Sequence, residues 1–357
     1  MALTINTNIS SIIAQRSLNK ATNSMNTSLE RMSTGYQINH AKDNAAGYSI
    51  SKSWETKLGS LDVAADNAAT GLDLLTTAEE TYGLLTSHLQ RVRDLTEQAA
   101  NGTYGSQSLK AIQSEISARL YEINRLSANS EFNGIKLMAY DMDDTTGTKN
   151  AEVGITGSGV NLQVGLYADE NSIINLKVDL FAKANLSGLF SKVSTETYKA
   201  KDNEGTEQTK NLDDLLKAAS GDTQTVTTLA NEDGVEAFAA ACTGLVYTAA
   251  TASDPAKLTL QTEAEFGAKE MLMYLDSAID EISSRVTKIG AAQNRVQSAA
   301  EALDVQAQNL TSSLSTLRDT DIAEESSTYI QQQILQQASA TLLSTANQLP
   351  SIALNLI

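Results

Sequence analysis

The sequence predicts a mainly α-helical protein. Long helices from both termini are expected to form an antiparallel coiled-coil bundle, with a β-hairpin region and a variable α+β insert in the middle. Apolar residues recur at alternating spacings of three and four in both halves of the chain, which is the pattern of a coiled-coil seam. The chain has only 2 prolines, so long helices can run uninterrupted. Aromatic residues make up only 5% of the chain, which suits thin helical bundles.

The most regular repeat lies between residues 275 and 317, where Gln293 is the only polar residue in the stripe. A matching stripe runs from Leu61 to Val92, and we expect that helix to end near Asn101. A shorter helix follows, with apolar residues from Leu109 to Ile123 on one face. We expect these segments to close into a bundle. The residues predicted to form its coiled coil are Leu72, Leu75, Leu89, Ile282, Val286, Ile289, Val296, Leu303 and Leu310.

The two ends of the chain are amphipathic but carry unusually few charges. Apolar stripes run through residues 18–32 and 330–349, and residues 331–357 contain no charged side chain. A surface helix in water normally carries charges on its outer face. We therefore expect these helices to be buried on several sides, most simply against copies of the same chain. The residues predicted for this contact are Ile9, Leu18, Met25, Leu29, Ile334, Ala338, Leu342, Leu349, Leu354 and Leu356.

The middle of the chain lacks the heptad pattern. Residues 132–137 and 160–165 are short strand-like runs beside glycine turns. The predicted organisation is an N-terminal helix in residues 1–44, helices and a hairpin in 45–177, an α+β insert in 178–265, a return helix in 266–318 and a C-terminal helix in 319–357.

The net charge of −17 excludes several classes of partner. A nucleic-acid binder needs clustered Lys and Arg, and no such cluster occurs. The acidic balance also disfavours anionic membranes, and no run of about 18 apolar residues occurs. Residues 1–8 lack the basic and apolar regions of a Sec signal peptide.

No catalytic, cofactor or metal site is predicted. The two histidines, His40 and His88, are not in a zinc-protease motif, and phosphate-binding and dinucleotide-binding motifs are absent. Asp321 is expected to cap a helix, with Glu324 at its third position. Cys242 in its alanine-rich context is expected to be a buried small hydrophobe, and Trp54 a packing residue.

Three groups of short motifs occur in a specific order along the chain: Ser33–Asn39 with Ala41–Gly47, then Phe132–Leu137, then Asp319–Glu324 with Gln333–Ala338, Ala346–Pro350 and Leu354–Ile357. Together they resemble bacterial flagellins over roughly residues 1–178 and 265–357. Thr34, Gln37 and Asn44 depart conservatively from the usual family pattern. No single motif is long, but their order and position make the resemblance specific.

The resemblance implies a structural protein that polymerises into an extracellular filament, with no enzymatic activity. The terminal helices would form an inner core, the longer helices an outer core, and the insert would face solvent. Export would use the flagellar secretion apparatus without a cleaved signal. The implied partners are other copies of the chain, an export chaperone, and the filament cap and hook-junction proteins.

The resemblance also implies recognition of the monomer by Toll-like receptor 5. Arg91, Leu95 and Glu115 match the family's contact residues, whereas Asp94 stands where Glu is commoner. An arginine beside an apolar anchor is a typical hot-spot pair. The alternative is that these residues only pack between subunits.

Two other functions stay open at this point. A hook–filament junction protein would share the terminal helices. A generic coiled-coil protein would form a closed oligomer of fixed size, whereas a filament subunit forms open polymers. An insert with protease activity is disfavoured because residues 178–265 lack the zinc-protease motif.

Overall fold

The structure is a computed structural model. It describes residues 8–101, 103–139, 159–167, 169–193, 198–201, 207–220, 225–248, 257–260 and 268–354. Leu356 lies outside these residues, and so do the side chains of Leu349 and Leu354.

Helices dominate the described residues, which confirms the predicted mainly α fold. The two longest helices are the second and the seventh, and the predicted coiled-coil stripes lie on them. The second helix ends at Ala99, slightly before the predicted end near Asn101. The helices are α1 (Ile9–Thr34), α2 (Ala45–Ala99), α3 (Ser106–Asn129), α4 (Leu186–Val193), α5 (Leu212–Ser220), α6 (Glu232–Thr243), α7 (Ala268–Arg318) and α8 (Ile322–Leu354).

The described strands form four separate antiparallel pairs. The predicted hairpin is present, and its turn at Asn133 and Gly134 has φ values of 49° and 80°, which favour these two residue types. The predicted strand-like run over residues 160–165 contains a strand, Val160–Gln163. The pairs are β1 (Glu131–Phe132) with β2 (Ile135–Lys136), β3 (Val160–Gln163) with β4 (Ile173–Leu176), β5 (Tyr198–Lys201) with β6 (Glu207–Lys210), and β7 (Leu245–Thr248) with β8 (Lys257–Leu260).

Contacts divide the chain into two compact units, Met1–Val63 with Asp304–Ile357, and Ala64–Leu303. In the first unit α1 and α8 lie antiparallel, because Asn8 Nδ2 donates to Ala346 O at one end and Arg31 pairs with Glu325 at the other. The side chains that face each other along these helices are buried or half-buried at alternating three- and four-residue spacings. This seam consists of Ser11, Ala14, Leu18, Ala21, Met25, Ser28 and Met32 on α1, and of Glu325, Tyr329, Gln332, Gln336, Ser339, Leu343 and Ala346 on α8.

In the second unit α2 and α7 bury their predicted stripes. Gln293, the polar residue of the α7 stripe, donates to the Glu79 carboxylate across 2.7 Å. The one polar residue in the stripe therefore forms a hydrogen bond to α2. All nine residues predicted for the coiled coil are at least half-buried. The buried ones are Leu75, Leu89, Ile282, Ile289, Val296 and Leu303, and the half-buried ones are Leu72, Val286 and Leu310.

The α+β insert packs on α3 in this second unit. The core-facing stripe of α3 from Leu109 to Ile123 is buried as predicted. On a different face of α3, Gln113 Nε2 and Ser117 Oγ donate to the Glu236 carboxylate of α6 at 2.8 and 3.0 Å. Tyr121 donates to the same carboxylate, and burial together with the negative charge of Glu236 raises the pKa of Tyr121 to about 12.

Candidate assembly and recognition surfaces

Small or polar side chains make up most of the seam between α1 and α8, and larger side chains such as Leu18, Met25 and Leu343 are only half-buried in it. On α1 the fully buried positions are Ala14, Ala21 and Ser28, and on α8 they include Ser339 and Ala346. Burial of small side chains removes little apolar area from water. These fully buried positions therefore contribute little of the packing energy of the helix pair.

The same two helices expose large aliphatic side chains to solvent. Ile334 and Leu342 are 60% and 62% exposed, although the predicted stripe on α8 runs through them. That stripe is thus not the α1–α8 seam, since it faces away from α1. Leu29, predicted within the α1 stripe, is also exposed, and Ser28 takes its place in the seam. The exposed large apolar residues of these helices are Ile9, Ile12, Ile13, Leu29, Ile322, Ile330, Ile334, Leu335 and Leu342.

The other residues predicted for contact between copies are distributed around this surface. Leu18 and Met25 are half-buried at the α1–α8 seam, and Ala338 is exposed on α8. Only Glu324 and Glu325 carry charge in α8, both in its first turn. Several large apolar side chains exposed on a helix with so few charges are characteristic of a surface that binds another protein.

The loops next to the terminal helices are held by specific hydrogen bonds. Asp321 Oδ1 accepts from the backbone N–H groups of Ala323 and Glu324, which confirms the predicted helix cap. The three residues that depart from the usual motif also form hydrogen bonds. Thr34 Oγ1 donates to Glu30 O, Gln37 Nε2 donates to Leu317 O, and Asn44 Oδ1 accepts from Gly47 N.

A polar cleft of about 530 Å³ lies between α1 and α8. Arg31 lines it and pairs with Glu325 across 3.6 Å, and Asp321 and Glu324 also contribute to its wall. Glu325 is only 9% exposed. Since a half-buried ion pair of this kind depends on the relative position of the two helices, it contributes to their alignment.

The predicted receptor residues are brought together only in part. Arg91 on α2 donates to the Glu115 carboxylate of α3 at 2.8 and 2.9 Å, and the two side chains are 48% and 38% exposed. Leu95 is only 2% exposed. That side chain therefore belongs to the core of the folded chain, and the receptor contact implied for Leu95 stays a prediction.

Sequence reasoning missed a buried arginine in the second unit. Arg285 on α7 is 3% exposed at its side chain, and its Nη1 donates to the carbonyl oxygens of Ala182 and Lys183 at 3.0 Å each. Burial would lower its pKa, but nearby Tyr82 and Glu281 outweigh that effect and raise it. The signal in the sequence is a charged residue that interrupts the buried face of α7 one position before Val286.

The described residues hold no group of three or more His, Cys, Asp or Glu that could bind a metal ion. Burial raises the pKa of the Cys242 thiol to about 12, so this thiol is neutral at physiological pH. Trp54 is half-buried. Among the described helices, none combines the length and the hydropathy needed to cross a membrane.

These features define a helical coiled-coil protein whose first and last helices pair and leave large aliphatic side chains exposed. Residues 5–142 match the bacterial flagellin N-terminal helical region, and residues 272–357 match the bacterial flagellin C-terminal helical region. The chain belongs to the bacterial flagellin family.

Individual relatives agree with this assignment over their whole lengths. The chain is 33% identical to polar flagellin F of Vibrio parahaemolyticus and 34% identical to flagellin C of Vibrio anguillarum, in both cases with 100% of each chain covered. The solved structure of Bacillus cereus flagellin is 17% identical and covers 70% of this chain and 94% of its own, with a TM-score of 0.32.

Proposed function

We propose that this chain is a structural subunit that polymerises into the bacterial flagellar filament. In this proposal residues 1–44 and 319–357 form the inner core, residues 45–177 and 266–318 form the outer core, and residues 178–265 face solvent. The exposed aliphatic face of α1 and α8 carries the proposal. Membership in the flagellin family supports it.

The energetics favour contact between copies. Complete burial of an Ile or Leu side chain contributes about 1.5–3 kcal/mol relative to exposure. Several such side chains on α1 and α8 are about half exposed or more, among them Ile9, Ile13 and Leu342. Neighbouring copies that cover them would therefore offset the entropy lost when subunits associate. A helical, non-closing contact then extends into a filament.

Electron microscopy of the purified full-length chain after addition of ammonium sulfate tests this proposal. The unaltered chain is expected to form long filaments. Ile334→Asp with Leu342→Asp should abolish them, because each substitution places a charge in the apolar contact. Tyr167→Asp is the matched control, since Tyr167 is equally exposed at 61% but lies in the second unit.

The outcomes also separate the alternatives. Particles of one fixed size from the unaltered chain would contradict the filament and favour a closed coiled-coil oligomer. Short assemblies that do not elongate would favour a junction protein.

We propose recognition of the monomer by Toll-like receptor 5 as a second function. The supporting observation is the exposed Arg91–Glu115 pair. Helical periodicity puts Glu115 on the side of α3 away from Gln113, the residue that binds α6. The insert therefore leaves the pair accessible. Arg91 and Glu115 would contact the receptor, and buried Leu95 would support α2 beneath them.

Surface plasmon resonance with the receptor ectodomain tests this second proposal. Arg91→Ala monomers are expected to bind at least ten-fold more weakly. Arg125→Ala is the control, because Arg125 is also an exposed arginine in an ion pair with a glutamate, Glu122. Equal affinity of the two variants would contradict the proposal.

The remaining proposed partners follow from family membership. We propose that the chain leaves the cell through the flagellar export apparatus with the help of a chaperone. In the filament it would contact the cap and hook-junction proteins. We propose a structural rather than an enzymatic role, with no cofactor, nucleic acid or membrane as a partner.

A further inference from the structure

The loops that lead to α1 and α8 differ in how much movement they permit. Residues 319–321 connect α7 to α8, whereas residues 35–44 connect α1 to α2. A shift of one helix by a heptad requires ~10 Å of translation at 1.5 Å per residue. The longer loop could extend to ~33 Å. The loop lengths therefore fix α8 against α7 but leave α1 room to slide along α8.

The seam of α1 does not prevent such a slide. Ala14, Ala21 and Ser28 recur at seven-residue intervals, so a shift of seven residues replaces a small side chain by another small one. Leu18, Met25 and Met32 recur in the same way. A seam with this near-exact repeat specifies its register weakly, because the shifted packing is almost the same as the original.

A cluster of three side chains fastens the longer loop to the end of α7. The guanidinium of Arg318 lies 3.7 Å from the centre of the Tyr36 ring, and it forms an ion pair with Glu55 of α2. The Arg318 side chain is 16% exposed. Stacking on an aromatic ring together with a partly desolvated ion pair is stronger than either contact on a protein surface.

Backbone hydrogen bonds continue this attachment. Gln37 N donates to Arg318 O at 2.8 Å, and Thr320 N donates to Gly35 O at 2.9 Å. Gly35, which ends α1, has φ of 77°, a conformation that places the loop next to residues 318–320 at little steric cost. The two loops thus pair for a short distance immediately beyond α1 and before α8.

We propose that Tyr36, Arg318 and Glu55 form a register clasp, which holds α1 in one alignment along α8. Contacts within the helix pair, such as Thr22 with Gln336 and the Arg31–Glu325 ion pair, add to that alignment, whereas the clasp lies outside the repeating seam. The clasp thereby sets the positions of the exposed α1 side chains relative to those of α8. This consequence for assembly rests on the proposed filament function. Arg318 is a positioning residue in this proposal.

Cross-linking of the dilute full-length monomer measures the register directly. Thr22→Cys with Gln336→Cys reports the observed alignment, because these side chains are in hydrogen-bond contact at 3.1 Å. Thr22→Cys with Leu343→Cys, or with Tyr329→Cys, reports a slip of seven residues in either direction. A short thiol–thiol cross-linker is the probe, and native Cys242 is fully buried and does not react.

In the unaltered background the aligned pair is expected to cross-link at least ten-fold faster than either slipped pair. Arg318→Met and Tyr36→Leu should each reduce this ratio to three-fold or less. Tyr36→Phe keeps the ring and should keep the ratio. Lys57→Met is the matched control for loss of a cation in the same unit, and it should also leave the ratio unchanged.

An unchanged ratio in both Arg318→Met and Tyr36→Leu, with helical circular dichroism retained, would overturn the clasp. If Arg318→Met loses its helical circular dichroism, Glu55→Gln takes its place in the cross-linking test, because it removes only one charge. Monomer cross-linking does not require polymerisation. Filaments from the unaltered chain without a register effect would refute the clasp alone, whereas a register effect without filaments would refute the proposed filament function alone.

Discussion

Single buried polar residues determine how the insert is attached in the second unit. Arg285 holds two consecutive carbonyl groups, and Tyr82 donates its hydroxyl to Leu180 O nearby at 3.1 Å. Buried backbone oxygens without a donor are costly. One arginine therefore supplies a donor to two carbonyl groups of this segment.

Arg285→Met is expected to lower the free energy of unfolding of the chain by about 3–5 kcal/mol, because it removes a buried cation that donates to two carbonyl groups and to the Glu281 carboxylate. Guanidinium titration followed by circular dichroism measures the change. Arg125→Met should change it by less than about 0.5 kcal/mol, since that arginine is exposed. Equal effects of the two substitutions would contradict the assignment.

The burial of Cys242 predicts how slowly its thiol reacts. Burial raises its pKa from 9.0 to about 12, so the thiol should resist a disulfide reagent at pH 8 until the chain unfolds. The unfolded thiol ionises first as the pH rises, so this residue should reduce stability between pH 9 and about 12. Reaction with a chromogenic disulfide in the presence and absence of denaturant checks the first point. Rapid labelling of the folded chain would contradict it.

At the scale of the helices, the heptad pattern predicted the coiled coils, because residues buried at regular intervals along a helix are apolar at the same intervals in the sequence. It predicted the partner face of α8 less well. The apolar stripe through Ile334 suggested one packed face, whereas the α1–α8 seam uses Gln336 and Ser339 instead. Small and polar seams give weak hydropathy signals, so such a face cannot be read from apolar spacing alone.

Two glycines within helices have opposite predicted effects. A Cβ at Gly234 of α6 would lie 2.1 Å from Thr228 O, whereas a Cβ at Gly290 of α7 would have no atom within 4 Å. Gly234→Ala should destabilise the chain by about 1–3 kcal/mol because the backbone must move. Gly290→Ala should stabilise it by up to about 1 kcal/mol through helix propensity. Thermal unfolding of the two monomeric variants tests the difference in sign.

For the chain as a whole, the family resemblance is confirmed, and the described long helices, hairpin and mixed segment follow one another in the predicted order. The predicted domain boundaries stay a prediction. The Arg285 contacts could not be predicted, because their carbonyl partners are about a hundred residues away in the chain. Leu95 shows a different limit. Its motif suggested a surface contact, but only the packing of the folded chain reveals that it is buried.

The charge of the whole chain predicts how assembly responds to salt. Copies with a net charge of −17 repel each other, so sodium chloride should lower the critical concentration by screening. Ammonium sulfate at matched ionic strength should lower it further, because it also strengthens apolar burial. Light scattering measures both values. Equal effects of the two salts would indicate that screening alone controls assembly.

The aliphatic side chains that α1 and α8 leave uncovered also have a calorimetric consequence. Their transfer from water into a contact between copies would decrease the heat capacity of the system. Near room temperature such an association is driven by the entropy of released water and weakens on cooling. Polymers of this chain should therefore be harder to nucleate in the cold, and the enthalpy of subunit addition should become more negative as temperature rises.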